Sequence, residues 1–337
     1  QVDEHTLTDQ RDQHNKDPFP IYTAIDKQCK QQKDADPWFE FTPYEAGYSL
    51  TGAFVETSNF GSKFENGRKI KNQPEIDMLY LQALCSSVLA DEEEIWKWIK
   101  DPNSPPIDEC HQVLLNLVNM NLAMLKDVDP SAFDKDIRAK LTDVCLSICR
   151  CLVLWIWGRK HNFHNMTDAA VPAALLKSET RDYIDTALLL NPPYFSVLRE
   201  ERDIDLIISL DFSEDDPFMT VREAAETCRK LKIPFPEANI TSELSEKPKD
   251  FYVFKGQNTP TVIHIPLFKM VNCGDKIEAW KNKYATFQGP YSAEMITDLM
   301  KVAGKNITNN RVKLLEQIRA VTKAKLIQAM ARQNPTL

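Results

Sequence analysis

Glycine is scarce in this sequence: nine of 337 residues, where average usage would supply about 23. The shortage shows in the motifs that need glycine. Neither G-x-G-x-x-G nor a P-loop occurs, so no glycine-rich loop is present to cradle a nucleotide phosphate. The G-x-S-x-G elbow that lifts a serine nucleophile onto a strand–helix turn is absent too. Gly61-Ser62 comes nearest, but Lys63-Phe64 follow where the tight turn requires a small residue, so Ser62 is not expected to be a nucleophile. None of the eight cysteines forms a C-x-x-C pair. His161 and His164 lie three apart with no acid pair near them, a weak metal signal, and neither a metal nor a cofactor is expected. Unpaired thiols point to a reducing compartment. The most apolar run, residues 141–157, contains Asp143 and Arg150 and is too short and too charged to span a bilayer comfortably.

What is present is the composition of a soluble globular chain, 43% hydrophobic and 27% charged, long enough for one large domain or two ordinary ones. The net charge of -8 gives the molecule no overall attraction for phosphate backbones, so nucleic acid is not an expected partner, although a local basic patch could face a lipid headgroup. Residues 1–16 read as a loose polar tail. Pro18 and Pro20 bar a helix start, and "DPFPIYTAID" reads as chain entering a strand. "WFEFTPYEAGY" opens on a short aromatic strand and breaks at Pro43. From Pro74 to Ile99 the spacing is helical, with Ile76, Leu79, Tyr80, Ala83 and Leu84 on one face. Residues 100–157 read as a helical insertion whose apolar faces either pack in a core or cover a pocket or a membrane. Beyond Gly158 the pattern becomes α/β. "DLIISLDFS" has the continuous apolar pattern of a strand covered on both faces, "TVREAAETCRKL" is an amphipathic helix, and "DFYVFKG" and "PTVIHIPLF" are two further strands. The stretch from Ser292 is mostly helical, weakened at Gly304. The fold expected is a mixed sheet with flanking helices.

One carboxylate stands out. In "YIDTAL", Asp185 follows an apolar run and precedes two small residues. By itself it is a turn or cap residue. A carboxylate beside a serine in a site that raises its basicity could instead take the serine's proton.

The strings "WFEFTPYEAG", "GAFVETSNFGSKFENGR", "WIWGRKHNF", "IDTALLLNPPYFSVLREERDIDLIISLDFS", "KLKIPFPE", "FYVFKG" and "PTVIHIPLF" resemble the catalytic domain of the group IV cytosolic phospholipases A2, in its gamma-like form without a C2 domain. The resemblance runs from about Pro18 to about Gln317 and covers the later part of that domain. It implies a patatin-like α/β fold with a helical cap. It also implies hydrolysis of glycerophospholipid or lysophospholipid acyl esters by a Ser-Asp dyad, without calcium. Asp185 falls at the family's aspartate, in a motif where Thr186 and Ala187 replace smaller residues, the second usually glycine. Arg202 matches the arginine that holds substrate phosphate, with Arg199 as a weaker second, and the fork of a guanidinium suits that anion. The family's G-x-S-G-S serine and its oxyanion glycines are expected upstream of "DPFPIYTAID", so the chain reads as a fragment, inactive by itself. The expected organisation is a tail at 1–16, the later part of the catalytic domain at 17–318 and a C-terminal helix or tail at 319–337. The expected location is the cytosol, at the periphery of intracellular membranes, where Trp96, Trp98, Trp155 and Trp157 suit an interface as well as a core. The final "RQNPTL" carries no prenylation signal. The alternative is a non-catalytic lipid-binding relative.

Overall fold

The computed structural model describes residues 3–12, 18–31, 36–65, 68–86, 160–161, 175, 180–213, 216–240, 248–285 and 291–333. The helical insertion expected over residues 100–157 lies outside them. The chain divides into two compact units, Gln1–Leu189 and Leu190–Leu337.

The first unit is built on a five-stranded antiparallel sheet in the order β4-β3-β2-β1-β9. Its strands are β1 (Tyr22–Asp26), β2 (Trp38–Phe41), β3 (Glu45–Tyr48), β4 (Ala53–Glu56) and β9 (Tyr183–Ile184). Two short pairs accompany it: β5 (Lys63–Glu65) with β6 (Arg68–Lys71), and β7 (Lys160–His161) with β8 (Thr180–Arg181). Pro43 breaks β2 from β3, as the sequence predicts. On one face Phe39 sits 4.7 Å from Tyr183 and 4.9 Å from Tyr48, ring centre to ring centre, and Phe41 sits 4.9 Å from Phe60. Each such pair adds about 0.5–1.5 kcal/mol beyond the burial of its area. Gly47 is required by close approach: a Cβ there would lie 2.1 Å from the Ala53 carbonyl oxygen.

Helix α1 (Lys27–Lys30) follows β1 directly, and α2 (Met78–Cys85) starts on the cap from Asp77, whose carboxylate accepts from the Tyr80 N–H at 2.8 Å. The buried face of α2 is Met78, Leu81 and Leu84, while Leu79 and Tyr80, expected inside, are exposed. The 3.6-residue period was legible; its phase was set by the core that α2 meets. Residues 3–12 also differ from the expected loose tail. Leu7 is buried in the same core, Thr6 bridges to Asp77, and Thr8 donates its N–H and hydroxyl to Glu75.

The second unit carries a three-stranded sheet ordered β10-β12-β11: β10 (Leu206–Asp211) runs parallel to β12 (Thr261–Pro266), and β11 (Tyr252–Phe254) antiparallel to it. Helix α3 (Met219–Leu231) buries Val221, Ala224 and Cys228, the stripe its amphipathic pattern predicts. After β12, α4 (Met270–Cys273), α5 (Ile277–Lys283) and α6 (Ala293–Thr308) close over Leu267, Phe268, Tyr284 and Val302. The long α7 (Arg311–Gln333) ends the described chain. Among the described residues β10 lies at the edge of its sheet, and Ile208, Leu210 and Phe212 are 41%, 42% and 58% exposed, so the cover on both faces that its apolar pattern predicts is not supplied by those residues.

Candidate functional site

Asp185 is positioned from both sides along the chain. Before it, Tyr183 and Ile184 are buried in β9, paired with Asp26 and Ile25 of β1. Lys27 donates its N–H to the Asp182 carbonyl at 2.8 Å, and Gln28 and Asp182 exchange hydrogen bonds at 2.8 and 3.0 Å. After it, Thr186–Leu188 form a 3-10 turn that Asp185 caps, Oδ1 accepting the Ala187 N–H at 2.8 Å. Oδ2 has no hydrogen-bond partner among the described residues, and no cation there lies within salt-bridge distance of Asp185. Burial pushes its carboxyl above the 3.8 of an ordinary aspartate, and the Ala187 N–H only partly opposes that rise. The Cys85 thiol is within electrostatic reach; burial, reinforced by the Asp185 charge, pushes it well up, so it stays protonated. The result is a half-buried carboxylate with one oxygen tied and one open, the state suited to accepting a proton.

The substituted motif fits this backbone. The non-glycine residues with positive φ among those described are Asp203, Lys232 and Asn258. Ala187 is inside the 3-10 turn instead, so replacement of the usual glycine brings no left-handed strain.

Arg199 and Arg202 stand in the second unit, on the 3-10 turn Glu200–Arg202 that leads into β10. Arg202 is half-buried and donates Nη1 to the Ser196 carbonyl, which holds the guanidinium against its own turn. Arg199 Nε lies 3.7 Å from the exposed Glu201 carboxylate. The two arginines therefore share one turn, while Asp185 closes the other unit.

The remaining candidates among the described residues resolve as structure. Ser62 is buried and its Oγ accepts the Gln73 N–H at 2.9 Å, which leaves no approach for a substrate. His161 is paired in β7, and His164 lies outside the described residues. Among the described residues no group of three or more His, Cys, Asp or Glu could hold a metal.

Two buried polar clusters escaped the sequence reading. In the first unit Asp26 accepts from Tyr48 Oη at 2.5 Å and from the Cys29 N–H at 2.9 Å, with Arg181 Nε 3.7 Å away. In the second, Ser209 and His264 are register partners on β10 and β12. His264 Nε2 lies 2.6 Å from the Pro217 carbonyl oxygen and 3.5 Å from Asp211 Oδ2. Ser209 does not contact that histidine through a hydrogen bond; its Oγ takes the Tyr194 hydroxyl at 2.8 Å. Burial pushes His264 below 6.5, so it is neutral at physiological pH. The trio has the composition of a triad, but it is sealed and holds the α3 entry to the sheet. Parity within a strand could have put Ser209 and Asp211 on one face; nothing local could have paired them with His264.

A family model described as the lysophospholipase catalytic domain matches residues 5–88. Cytosolic phospholipase A2 gamma of Homo sapiens is 31% identical over 356 aligned positions, which cover 89% of this chain and 66% of that protein. The Mus musculus gamma protein is 30% identical, covering 90% and 65%. The chain thus spans just under two thirds of the length of these relatives. Among solved structures, human GIVD cytosolic phospholipase A2 superposes with a TM-score of 0.65 at 19% identity, over 96% of this chain and 47% of that one. The same human protein in complex with methyl gamma-linolenyl fluorophosphonate gives 0.59 at 20% identity.

Proposed function

The chain belongs to the group IV cytosolic phospholipase A2 family, with the patatin-like α/β fold of its catalytic domain, and from that premise we propose that the protein containing it hydrolyses acyl esters of glycerophospholipids or lysophospholipids through a Ser-Asp dyad whose aspartate is Asp185. The observation that carries this reading is the state of Asp185: capped in place, raised by burial and open at Oδ2.

The chemistry follows from that state. The nucleophile is a serine of the family's G-x-S-G-S stretch, in the part of the relatives that this chain does not span. Asp185 takes the hydroxyl proton as Oγ bonds to the ester carbonyl carbon. When the tetrahedral intermediate collapses, the proton passes to the leaving oxygen of the glycerol backbone, and an acyl-serine remains. Asp185 then takes a proton from water, whose oxygen attacks the acyl carbon. The fatty acid leaves and the serine regains its proton. Arg202, already fixed by the Ser196 carbonyl, binds the substrate phosphate, with Arg199 in support. A fluorophosphonate offers an electrophilic phosphorus to such a serine, and the inhibitor complex of the human relative supports the reading.

Asp185→Asn in the whole protein tests it. Asn keeps the acceptor that caps the 3-10 turn and removes the base. Ester hydrolysis is expected to fall by at least about a thousandfold with the melting temperature held, because members of such a dyad act as a unit. Undiminished turnover would remove Asp185 from the mechanism. The departures at Thr186 and Ala187 favour a second reading, a non-catalytic lipid-binding relative. Stoichiometric labelling of the whole protein by a fluorophosphonate probe supports the enzyme; no labelling, with vesicle binding retained, supports the second reading. Under either reading the protein works in the cytosol against intracellular membranes.

A further inference from the structure

Helix α7 is packed along one stripe only. Asn310 just before it is buried, and Leu314, Gln317 and Val321 are half-buried. From Thr322 to Ala331 every residue is exposed, and Lys325 holds this half through Asp205 at 2.6 Å and Asp203 at 2.9 Å. The outward stripe follows the same spacing: Val312, Leu315, Arg319, Lys323, Leu326 and Met330. Val312, Leu326 and Met330 are 70%, 61% and 61% exposed. Arg319 and Lys323 pair with no acid among the described residues. Through Ala331 the helix holds Arg311, Lys313, Arg319, Lys323 and Lys325 against Glu316 alone, in a chain of net charge -8.

We propose that this stripe docks α7 on an anionic phospholipid surface. It deepens the lipid-surface reading above, which supplies the class of ligand, but no residue of the proposed catalytic site takes part. Arg319 and Lys323 stand between two apolar pairs. Parallel pairing with a second copy would set each cation against its own counterpart, and antiparallel pairing centred on the stripe would set Arg319 against Lys323. A negatively charged surface relieves what a second copy would aggravate. Long cationic side chains reach outward from a half-sunken helix to lipid phosphates while their stems lie along the acyl boundary, so cations inside an apolar stripe are compatible with insertion. Screening over about 8 Å keeps the acid surplus elsewhere from cancelling this local charge.

The test is co-sedimentation of the intact chain with vesicles of ether-linked lipids, which have no acyl ester to hydrolyse, so binding is read apart from turnover. Binding is expected to phosphatidylcholine vesicles containing phosphatidylserine, to weaken with salt, and to be nearly absent on phosphatidylcholine alone. Arg319→Glu with Lys323→Glu should weaken it by at least about tenfold, given roughly fivefold per cation. Leu326→Gln with Met330→Gln should also weaken it while leaving the salt dependence in place. Circular dichroism confirms that the variants fold. Unchanged binding in both double variants would overturn the proposal, as would sedimentation velocity showing that the stripe forms a dimer while vesicle binding ignores it. A loss of ester hydrolysis by Asp185→Asn with vesicle binding intact would leave it standing.

Discussion

At the residue scale, Asp185 caps a turn and offers a base with one carboxylate. The two roles use different oxygens, and their thermodynamic signatures differ. Because burial raises the carboxyl above 3.8, the folded state holds its proton more tightly than the unfolded chain. The contribution to stability is therefore favourable at low pH and is lost as pH rises through the raised pKa. Asp185→Asn should melt at the same temperature as the parent, or slightly higher, at pH 7, and the difference should shrink as pH falls toward 3.8. A base must be ionised to act, so the acidic limb of the activity profile should lie above 3.8. An acidic limb at or below that value would mean that another group supplies the base. Asp26 is the opposite case, a carboxylate whose partners are all internal. Asp26→Ala strips the Cys29 cap, removes the acceptor of the Tyr48 hydroxyl and takes away the carboxylate that lies 3.7 Å from the buried Arg181 guanidinium. Removal of one member of a buried pair destabilises by about 3–5 kcal/mol. Denaturant unfolding should show that loss as a lower midpoint.

At the element scale, strands and amphipathic helices could be read along the chain wherever residue type and period agreed. β1, β2, β11, β12 and α3 lie where the aromatic, β-branched and periodic stretches put them. Phase and coverage were not legible. The face of α2 depends on which core it meets. Coverage of β10 depends on neighbours far away in sequence, which a run of apolar residues does not identify. Glycine separates the two kinds of information. Gly47 and Gly304 are both glycines inside regular elements, yet Gly47 faces the Ala53 carbonyl at 2.1 Å while nothing lies within 4 Å of a Cβ at Gly304. Gly304→Ala in α6 should stabilise by about 0.5–1 kcal/mol through helix propensity. Gly47→Ala should destabilise by about 2–4 kcal/mol, as backbone overlap is not relieved by a rotamer change. Thermal melts of the two variants should shift in opposite directions.

At the scale of the whole molecule, no described helix is long and apolar enough to cross a membrane. Contact with lipid in our reading is made by side chains such as those of α7. The proposed mechanism draws on a serine, a carboxylate and a guanidinium, and no step of it uses calcium. In this reading the chemical step, measured on a soluble monomeric ester, should be unchanged by a calcium chelator; a chemical step that needs calcium would contradict the mechanism.

The sequence alone determined the α/β class, most strands and helices, the family resemblance and the positions of Asp185 and Arg202. Those follow from local chemistry and from strings long enough to be specific. Tertiary structure decided what those residues experience. The desolvation of Asp185, the absence of left-handed strain at Ala187 and the sealing of Ser62 and His264 depend on segments brought together from distant parts of the chain. Burial, hydrogen bonding and electrostatics act through space, and sequence order does not carry those distances.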